Sequence, residues 1–230
     1  MTMNKITNLQ KKLYENYLNK YGINLKGIAS ENKKIKDLRY SIILNEILIY
    51  KKKFSKMSIL DCGSGLGDLL NYIKKNKLND FIDYEGNEIN RSLIAYCQKK
   101  FKNKKFFYSD LLDEKIKKRY DFIIFSGTFY HKPKEIRYKE YLNYIKQIFE
   151  KSWKKVNVGI IFNFLNYNSD YKKKGLFYPK ANDIHKIIGA LSRFNKRISN
   201  YPLFENTNVV VKKRFVKKIY NKKDYNRYLF

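Results

Sequence analysis

Residues that cross-link or rigidify a chain are scarce in this sequence. Its 230 residues include two cysteines, three prolines and one tryptophan. Cys62 and Cys97 match neither the even, regularly spaced set of a disulfide framework nor the paired pattern of a zinc site. We therefore expect two reduced, structural thiols and no bound metal ion.

Long apolar runs are also missing. The longest candidate, residues 42–50, is interrupted by Asn45 and Glu46, whereas a helix that crosses a bilayer needs about 20 apolar residues. Residues 1–20 carry lysines among asparagine and glutamine, without the apolar core and small-residue cleavage site of a secretory signal. The sequence predicts a cytoplasmic protein without a membrane span.

Acidic residues are few: 21 Asp and Glu stand against 50 Lys and Arg, which gives a net charge of +29. Such an excess favours anionic partners, nucleic acid among them. Only eight of the basic residues are arginines, however, and arginine reads phosphates and bases better than lysine does. The lysines accompany abundant Asn, Ile, Tyr and Phe, whose codons are rich in A and T, so we attribute much of the charge to composition.

Apolar segments of strand length alternate with amphipathic segments of helix length along most of the chain. This alternation is typical of a parallel sheet with helices on both faces. We predict a doubly wound, Rossmann-like α/β fold with a mostly parallel sheet, a C-terminal antiparallel strand and an N-terminal helical extension. The predicted strands are 57–60, 81–88, 105–108, 120–125, 156–164 and 209–215, and the predicted helices after the extension are 68–75, 91–100, 135–151 and 182–194.

A glycine-rich turn follows the first predicted strand. The string from Asp61 to Asp68 reads D-C-G-S-G-L-G-D and leads directly into a helix. Glycines allow a tight turn and close approach of the backbone to a ligand, and the carboxyl ends of the strands are where open α/β sheets bind ligands. A dinucleotide fingerprint requires a third glycine where Asp68 stands, and the glycine present is Gly67. NAD is therefore disfavoured.

The next predicted strand ends in a carboxylate, Glu88. A carboxylate at this place can accept hydrogen bonds from both hydroxyls of a ribose. The turn and this acid together predict a cofactor that carries a ribose.

The pattern D-x-G-x-G-x-G, followed by an acid at the end of the second strand, resembles the class I S-adenosylmethionine-dependent methyltransferases, in particular their compact, stand-alone bacterial members. The resemblance extends over roughly residues 21–215 and implies S-adenosylmethionine as the cofactor. It divides the chain into an N-terminal helical extension, 1–56, and a methyltransferase catalytic domain, 57–230, within one domain. The cofactor contacts that it implies are Arg39 at the cofactor's own carboxylate, Glu88 at the ribose, Asp110 and Leu111 at the adenine, and Ser126 and Gly127 at the methionine moiety, together with Asp61, Gly63, Ser64, Gly65 and Ile89.

The acceptor side of such an enzyme lies beside the fourth and fifth strands. His131 follows Gly127 closely and is our candidate general base, since a histidine titrates near neutral pH. Asn163 is expected to orient the acceptor. Tyr130 and Tyr178 complete the predicted substrate contacts.

Two kinds of acceptor remain open. A small molecule or saccharide, such as a nucleotide sugar or a surface-polysaccharide precursor, is favoured by the short chain and by the aromatic-rich loop 165–180. The alternative is tRNA or rRNA, held by the basic, aromatic segment 212–230. The N-P-P-Y motif of adenine methylation and the Pro-Cys nucleophile of pyrimidine methylation are both lacking, which disfavours DNA.

Overall fold

The computed structural model describes residues 2–30, 32–50, 56–102, 105–110, 118–170, 172–200 and 204–213. Helices and strands alternate within these ranges as the sequence predicts. The helices are α1 Met3–Tyr21, α2 Lys33–Leu48, α3 Asp68–Lys75, α4 Arg91–Lys100, α5 Tyr138–Lys154 and α6 Ala181–Leu191. The strands are β1 Met57–Cys62, β2 Ile82–Glu88, β3 Lys105–Tyr108, β4 Tyr120–Phe125, β5 Val156–Leu165, β6 Asn195–Asn200 and β7 Glu205–Val211.

The described strands form one seven-stranded sheet in the order β3-β2-β1-β4-β5-β7-β6. The pairs from β3 to β5 are parallel, and β7 runs antiparallel to both of its neighbours. This confirms the predicted mostly parallel, doubly wound fold with an antiparallel C-terminal strand. The chain order reverses between β1 and β4, and ligands of open α/β sheets bind at such a switch point.

Two apolar cores pack on the sheet, one against each face. β4 is buried along its whole length, which explains its continuous run of apolar residues. On one face α5 packs Phe149 against Phe162 of β5, with ring centroids 4.4 Å apart. On the other face α2 buries Ile43 and Ile47 completely. The predicted amphipathic spacing in α2 therefore marks a core helix.

The C-terminal part of the sheet differs from the prediction. The helix predicted to reach residue 194 ends at Leu191, and β6 follows it, where no strand was predicted. β6 reads N-K-R-I-S-N and lies at the sheet edge, so it carries little apolar signal. The strand predicted at 209–215 is β7, Glu205–Val211, and residues 214 and 215 of that prediction lie outside the described residues. It begins earlier than predicted because its polar first half is buried through hydrogen bonds: Asn163 and Asn200 both donate to the hydroxyl of Thr207.

Two further sequence predictions concern cysteines and membrane helices. Cys62 and Cys97 are buried free thiols, and burial raises the pKa of Cys97 to about 12. No helix in the described part of the chain is long and apolar enough to cross a membrane.

The basic, aromatic segment proposed for RNA binding falls almost wholly on residues 214–230, outside the described residues.

Candidate cofactor and acceptor site

A cavity of about 580 Å³ opens at the carboxyl ends of β1, β2 and β4. Its walls come from the glycine-rich turn, the ends of β2 and β4, helix α2 and one side of α1. Its volume lies within the range of about 300–1,000 Å³ that is usual for small-molecule sites. The cavity therefore occupies the place that the sheet topology predicts for a ligand.

The glycine-rich turn needs its glycines for two separate reasons. Gly63, Gly65 and Gly67 all have positive φ, at 77°, 54° and 70°, a region that other residues rarely adopt. A Cβ on Gly67 would also lie 2.5 Å from the Phe101 ring. The N–H groups of Gly63 and Ser64 donate to the carbonyl of Asn87, at 2.9 and 3.0 Å, which ties the turn to the end of β2.

Glu88 is held against this turn. Its carboxylate accepts the backbone N–H of Gly65 at 3.1 Å, of Ile89 at 2.8 Å and of Asn90 at 3.2 Å. Burial raises the pKa of the Glu88 carboxyl, and the three N–H donors oppose that shift. The side chain is thus fixed on the cavity wall, where a carboxylate can accept ligand hydroxyls.

Asp61 lies at the end of β1 and also lines the cavity. Its carboxylate accepts the hydroxyl of Tyr84 at 2.7 Å. Burial raises the pKa of Asp61 to about 7, despite the Tyr84 hydrogen bond and the nearby charge of Lys36, which both lower it. Asp61 is therefore a carboxyl group that titrates near neutral pH.

Arg39 of α2 reaches the cavity together with an acid that the sequence analysis did not identify. Its Nε and NH2 donate to the Glu205 carboxylate at 2.9 and 2.7 Å. The same carboxylate accepts the hydroxyl of Tyr130 and, at 3.0 Å, the Asn200 amide. An acid at the start of the Asn-, Thr- and Val-rich string 205–211 was the signal available in the sequence.

His131 is held firmly at the cavity wall. Its Nε2 lies 3.3 Å from the carbonyl oxygen of Ala29, and its ring packs edge-on against Tyr14 and Tyr17 of α1, with centroids 6.1 and 5.7 Å apart. An isolated β-bridge pairs His131 with Leu176. The loop that follows β4 is therefore joined both to α1 and to the loop that follows β5.

A pair of lysines lies on the same wall. Lys173 and Lys174 are exposed residues that line the cavity. Their loop is tied to the site because the Phe177 N–H donates to the carbonyl of Tyr130 at 2.7 Å. The sequence predicts a functional role for this loop without singling out its lysines.

Four unpaired polar atoms cluster at the cavity. They are buried, belong to lining residues and have no hydrogen-bond partner in the described part of the chain: Gln10 Oε1, Ser64 Oγ, Asn87 Oδ1 and Ser126 Oγ. Buried polar groups are normally paired, so such a cluster indicates a polar ligand. With the Glu88 carboxylate and the glycine backbone, this donor and acceptor set suits a cofactor that has a ribose and an amino acid moiety.

Most of the predicted site residues meet at this cavity. Those that line it are Arg39, Asp61, Gly63, Ser64, Gly65, Glu88, Ile89, Ser126, Gly127, Tyr130 and His131.

Of the other four predicted site residues, three do not line the cavity and one falls outside the described residues. Asp110 follows β3 but does not line the cavity, and Leu111 lies outside the described residues. Asn163 of β5 is completely buried, and its amide nitrogen donates to the hydroxyl of Thr207 in the neighbouring strand β7 at 2.6 Å. Tyr178 is half-buried, and its hydroxyl accepts the Lys173 N–H at 3.1 Å. Neither Asn163 nor Tyr178 reaches the cavity wall.

Comparison with protein families identifies the class of protein that this fold and site define. A family model described as a methyltransferase domain matches residues 35–176, which is more than half of the chain. The chain belongs to this family, and the resemblance to class I S-adenosylmethionine-dependent methyltransferases is confirmed. A comparison with curated proteins found no match.

Solved structures show the same fold at low sequence identity. Magnesium protoporphyrin IX methyltransferase from Synechocystis PCC 6803, with bound S-adenosylhomocysteine (SAH), superimposes with a TM-score of 0.62 at 15% identity, over 88% of this chain and 99% of that one. A plantazolicin methyltransferase in complex with a pentazolic desmethylPZN analogue and SAH gives 0.58 at 15% identity, over 92% and 100%. An amino pentose methyltransferase from Micromonospora echinaspora gives 0.54 at 10%, over 74% and 89%.

Proposed function

We propose that this protein transfers a methyl group from S-adenosylmethionine to a hydroxyl of a small-molecule or saccharide acceptor. One observation carries the proposal: the glycine-rich turn with Glu88, and His131 with the lysine pair, line a single cavity. A cofactor side and an acceptor side within one cavity of this size are what a direct transfer between two small molecules requires.

The cofactor side would be formed by the turn and its neighbours. Glu88 would hold the ribose hydroxyls, and the hydroxyls of Ser64 and Ser126 would bond polar groups of the methionine moiety. Bound S-adenosylmethionine supplies an electrophilic methyl group on a sulfonium. Gly63 and Gly65 line the cavity without side chains, so the cofactor would be able to approach their backbone closely.

His131 would act on the acceptor. Of the two histidines, His131 lines the cavity and His185 does not. A hydroxyl loses its proton as it attacks a methyl carbon, and an imidazole at the acceptor oxygen can take that proton. The contacts with Ala29, Tyr14 and Tyr17 keep the ring in place for this step.

The form of the cavity supports a small acceptor. Gln10, Tyr14 and Tyr17 of α1 contribute to its wall, so the helix narrows the space above the strand ends. Aromatic faces suit a sugar or another ring. Lys173 and Lys174 supply positive charge to the same wall, which favours an acceptor with a phosphate group, such as a nucleotide sugar.

The test is a methyl-transfer assay with radiolabelled S-adenosylmethionine. One arm contains a panel of nucleotide sugars and sugar phosphates, and the other contains total tRNA and ribosomal RNA. Label in a nucleotide sugar, and its absence from RNA, is the expected result. Saturable transfer to RNA that persists at physiological salt, with no small molecule labelled, would replace the saccharide proposal with the RNA alternative, because non-specific RNA contacts weaken steeply with salt.

A further inference from the structure

Gln10 of α1 has an amide whose orientation is fixed by its partners. Its Nε2 lies 3.0 Å from the carbonyl oxygen of His131 and 2.9 Å from the hydroxyl of Tyr141. A carbonyl oxygen can only accept a hydrogen bond, so the amide nitrogen must face it. The amide oxygen Oε1 therefore points away from these two groups.

This oxygen is a hydrogen-bond acceptor without a partner. Gln10 is 4% exposed, lines the cavity, and its Oε1 is paired with no group in the described part of the chain. Leaving a buried acceptor unpaired destabilises a fold unless a ligand or water supplies a donor. The residue is thus arranged to receive an N–H or O–H group from a molecule in the cavity.

The neighbours of Gln10 along α1 place it on a definite side of the cavity. The next residue, Lys11, holds its Nζ 5.9 Å from the centroid of the Tyr108 ring, at the end of β3. One turn after Gln10, Tyr14 lines the cavity together with Glu88. Helix α1 therefore passes the end of β3 and forms part of the same cavity wall as the carboxylate at the end of β2.

We propose that Gln10 Oε1 accepts a hydrogen bond from the exocyclic amino group of the cofactor's adenine. The inference rests on the proposed function, since it takes Glu88 as the ribose ligand. An adenine attached to that ribose and directed toward β3 would lie along α1, where Gln10 lines the cavity, whereas Asp110 does not line it. Helix α1 lies before residue 35, where the family match begins, so this contact belongs to the chain's own N-terminal segment.

Calorimetry with two product analogues tests the proposal. SAH carries the adenine amino group, and S-inosylhomocysteine has a carbonyl in its place. We expect the wild type to bind SAH about ten-fold more tightly, because the inosine carbonyl would face the Gln10 oxygen. Gln10→Met, which keeps the length of the side chain, should lose about ten-fold in SAH affinity and bind the two ligands within about three-fold of each other.

The matched control is Gln98→Met. Gln98 also donates to a backbone carbonyl, that of Phe106 at 2.9 Å, and it does not line the cavity, so its variant should keep the wild-type ratio of affinities. If Gln10→Met shows no cooperative unfolding on heating, the variant is not properly folded, and Gln10→Asn is used instead. Its shorter side chain moves the amide oxygen away from the adenine amino group.

Three outcomes would overturn the proposal. They are a wild type that does not prefer SAH, a Gln10 variant that keeps the wild-type ratio, and a Gln10 variant that loses both ligands equally, which would indicate a structural role. A wild type that binds neither ligand would instead contradict the proposed function on which the inference rests.

Discussion

Arg39 and Glu205 join helix α2 to strand β7 through a bidentate ion pair. The Arg39 Nε lies 2.9 Å from Oε1 of Glu205, and NH2 lies 2.7 Å from Oε2. The two side chains are only 10% and 1% exposed. Because both charges are buried, each needs the opposite charge of the other to compensate for its loss of solvation. The pair also connects parts of the chain that are far apart in sequence.

Removal of the Glu205 carboxylate should therefore destabilise the fold strongly. Breaking a buried ion pair by deleting one partner typically costs about 3–5 kcal/mol, because the other charge remains buried and uncompensated. We expect Glu205→Ala to lower the free energy of unfolding in urea by an amount of this order. Glu150→Ala, which removes an exposed pair with Lys146, should change it by less than about 1 kcal/mol. Equal small effects of both variants would contradict the structural role of Glu205.

Asp61 should make the stability of the cofactor-free protein depend on pH. Burial raises the pKa of Asp61 in the folded state to about 7, above its ordinary value of 3.8. As pH rises from about 4 to about 7, the unfolded chain releases this proton while the folded one retains it, so the folded state loses stability. Asp61→Asn, which can still accept from Tyr84, has no such ionisation.

The measurement is denaturant unfolding of the wild type and Asp61→Asn at several pH values. The stability of the wild type relative to the variant should fall between about pH 4 and pH 7 and change little above that range. A difference that stays constant with pH would show that Asp61 is not a titrating group in the folded protein.

His131→Asn tests the proposed base. Asparagine is polar and of similar size but cannot take a proton near neutral pH, so turnover on a hydroxyl acceptor should fall by about 10²-fold or more. SAH affinity, measured in parallel, should remain within about three-fold of the wild type. Full turnover in His131→Asn would leave positioning of the acceptor as the main source of rate.

Lys173 and Lys174 should matter for binding rather than for chemistry. Replacing both by alanine should raise KM for a phosphate-bearing acceptor by about ten-fold with little change in kcat, since their contacts are the same in ground and transition states. Lys172→Ala is the control, because Lys172 lies over the Tyr167 ring at 4.2 Å and does not line the cavity. A similar KM in the double variant and the control would exclude the lysine pair from acceptor recognition.

The sequence alone was sufficient for most of the sheet and for the position of the glycine-rich turn and Glu88 at the cavity. β1, the glycine-rich turn and Glu88 are contiguous or nearly so, and their chemistry follows from local geometry: positive φ at the glycines and a carboxylate at a strand end. The continuous apolar run of β4 likewise identifies a buried parallel strand.

The rest of the site depends on contacts between distant segments, and there the sequence was insufficient. Glu205 lies beside Arg39 only because β7 inserts between β5 and β6, and β6 itself is too polar to be recognised as a strand. Asn163 is a second example. Its position at the end of β5 predicted a contact with the acceptor, but its amide nitrogen donates to the hydroxyl of Thr207 in β7. Gln10 reaches the cavity through the packing of α1, which no local pattern reveals.

The central claim is that Glu88 holds the ribose of S-adenosylmethionine in this cavity. It is tested most directly by isothermal titration of SAH into the wild type, Glu88→Ala and the control Glu85→Ala, an acid of the same strand that bonds Lys118 and does not line the cavity. The loss of two charge-assisted hydrogen bonds should weaken binding in Glu88→Ala by about 2 kcal/mol or more. The control, checked to be folded by thermal unfolding, should bind as the wild type does. Wild-type affinity for SAH in a folded Glu88→Ala protein would contradict the account.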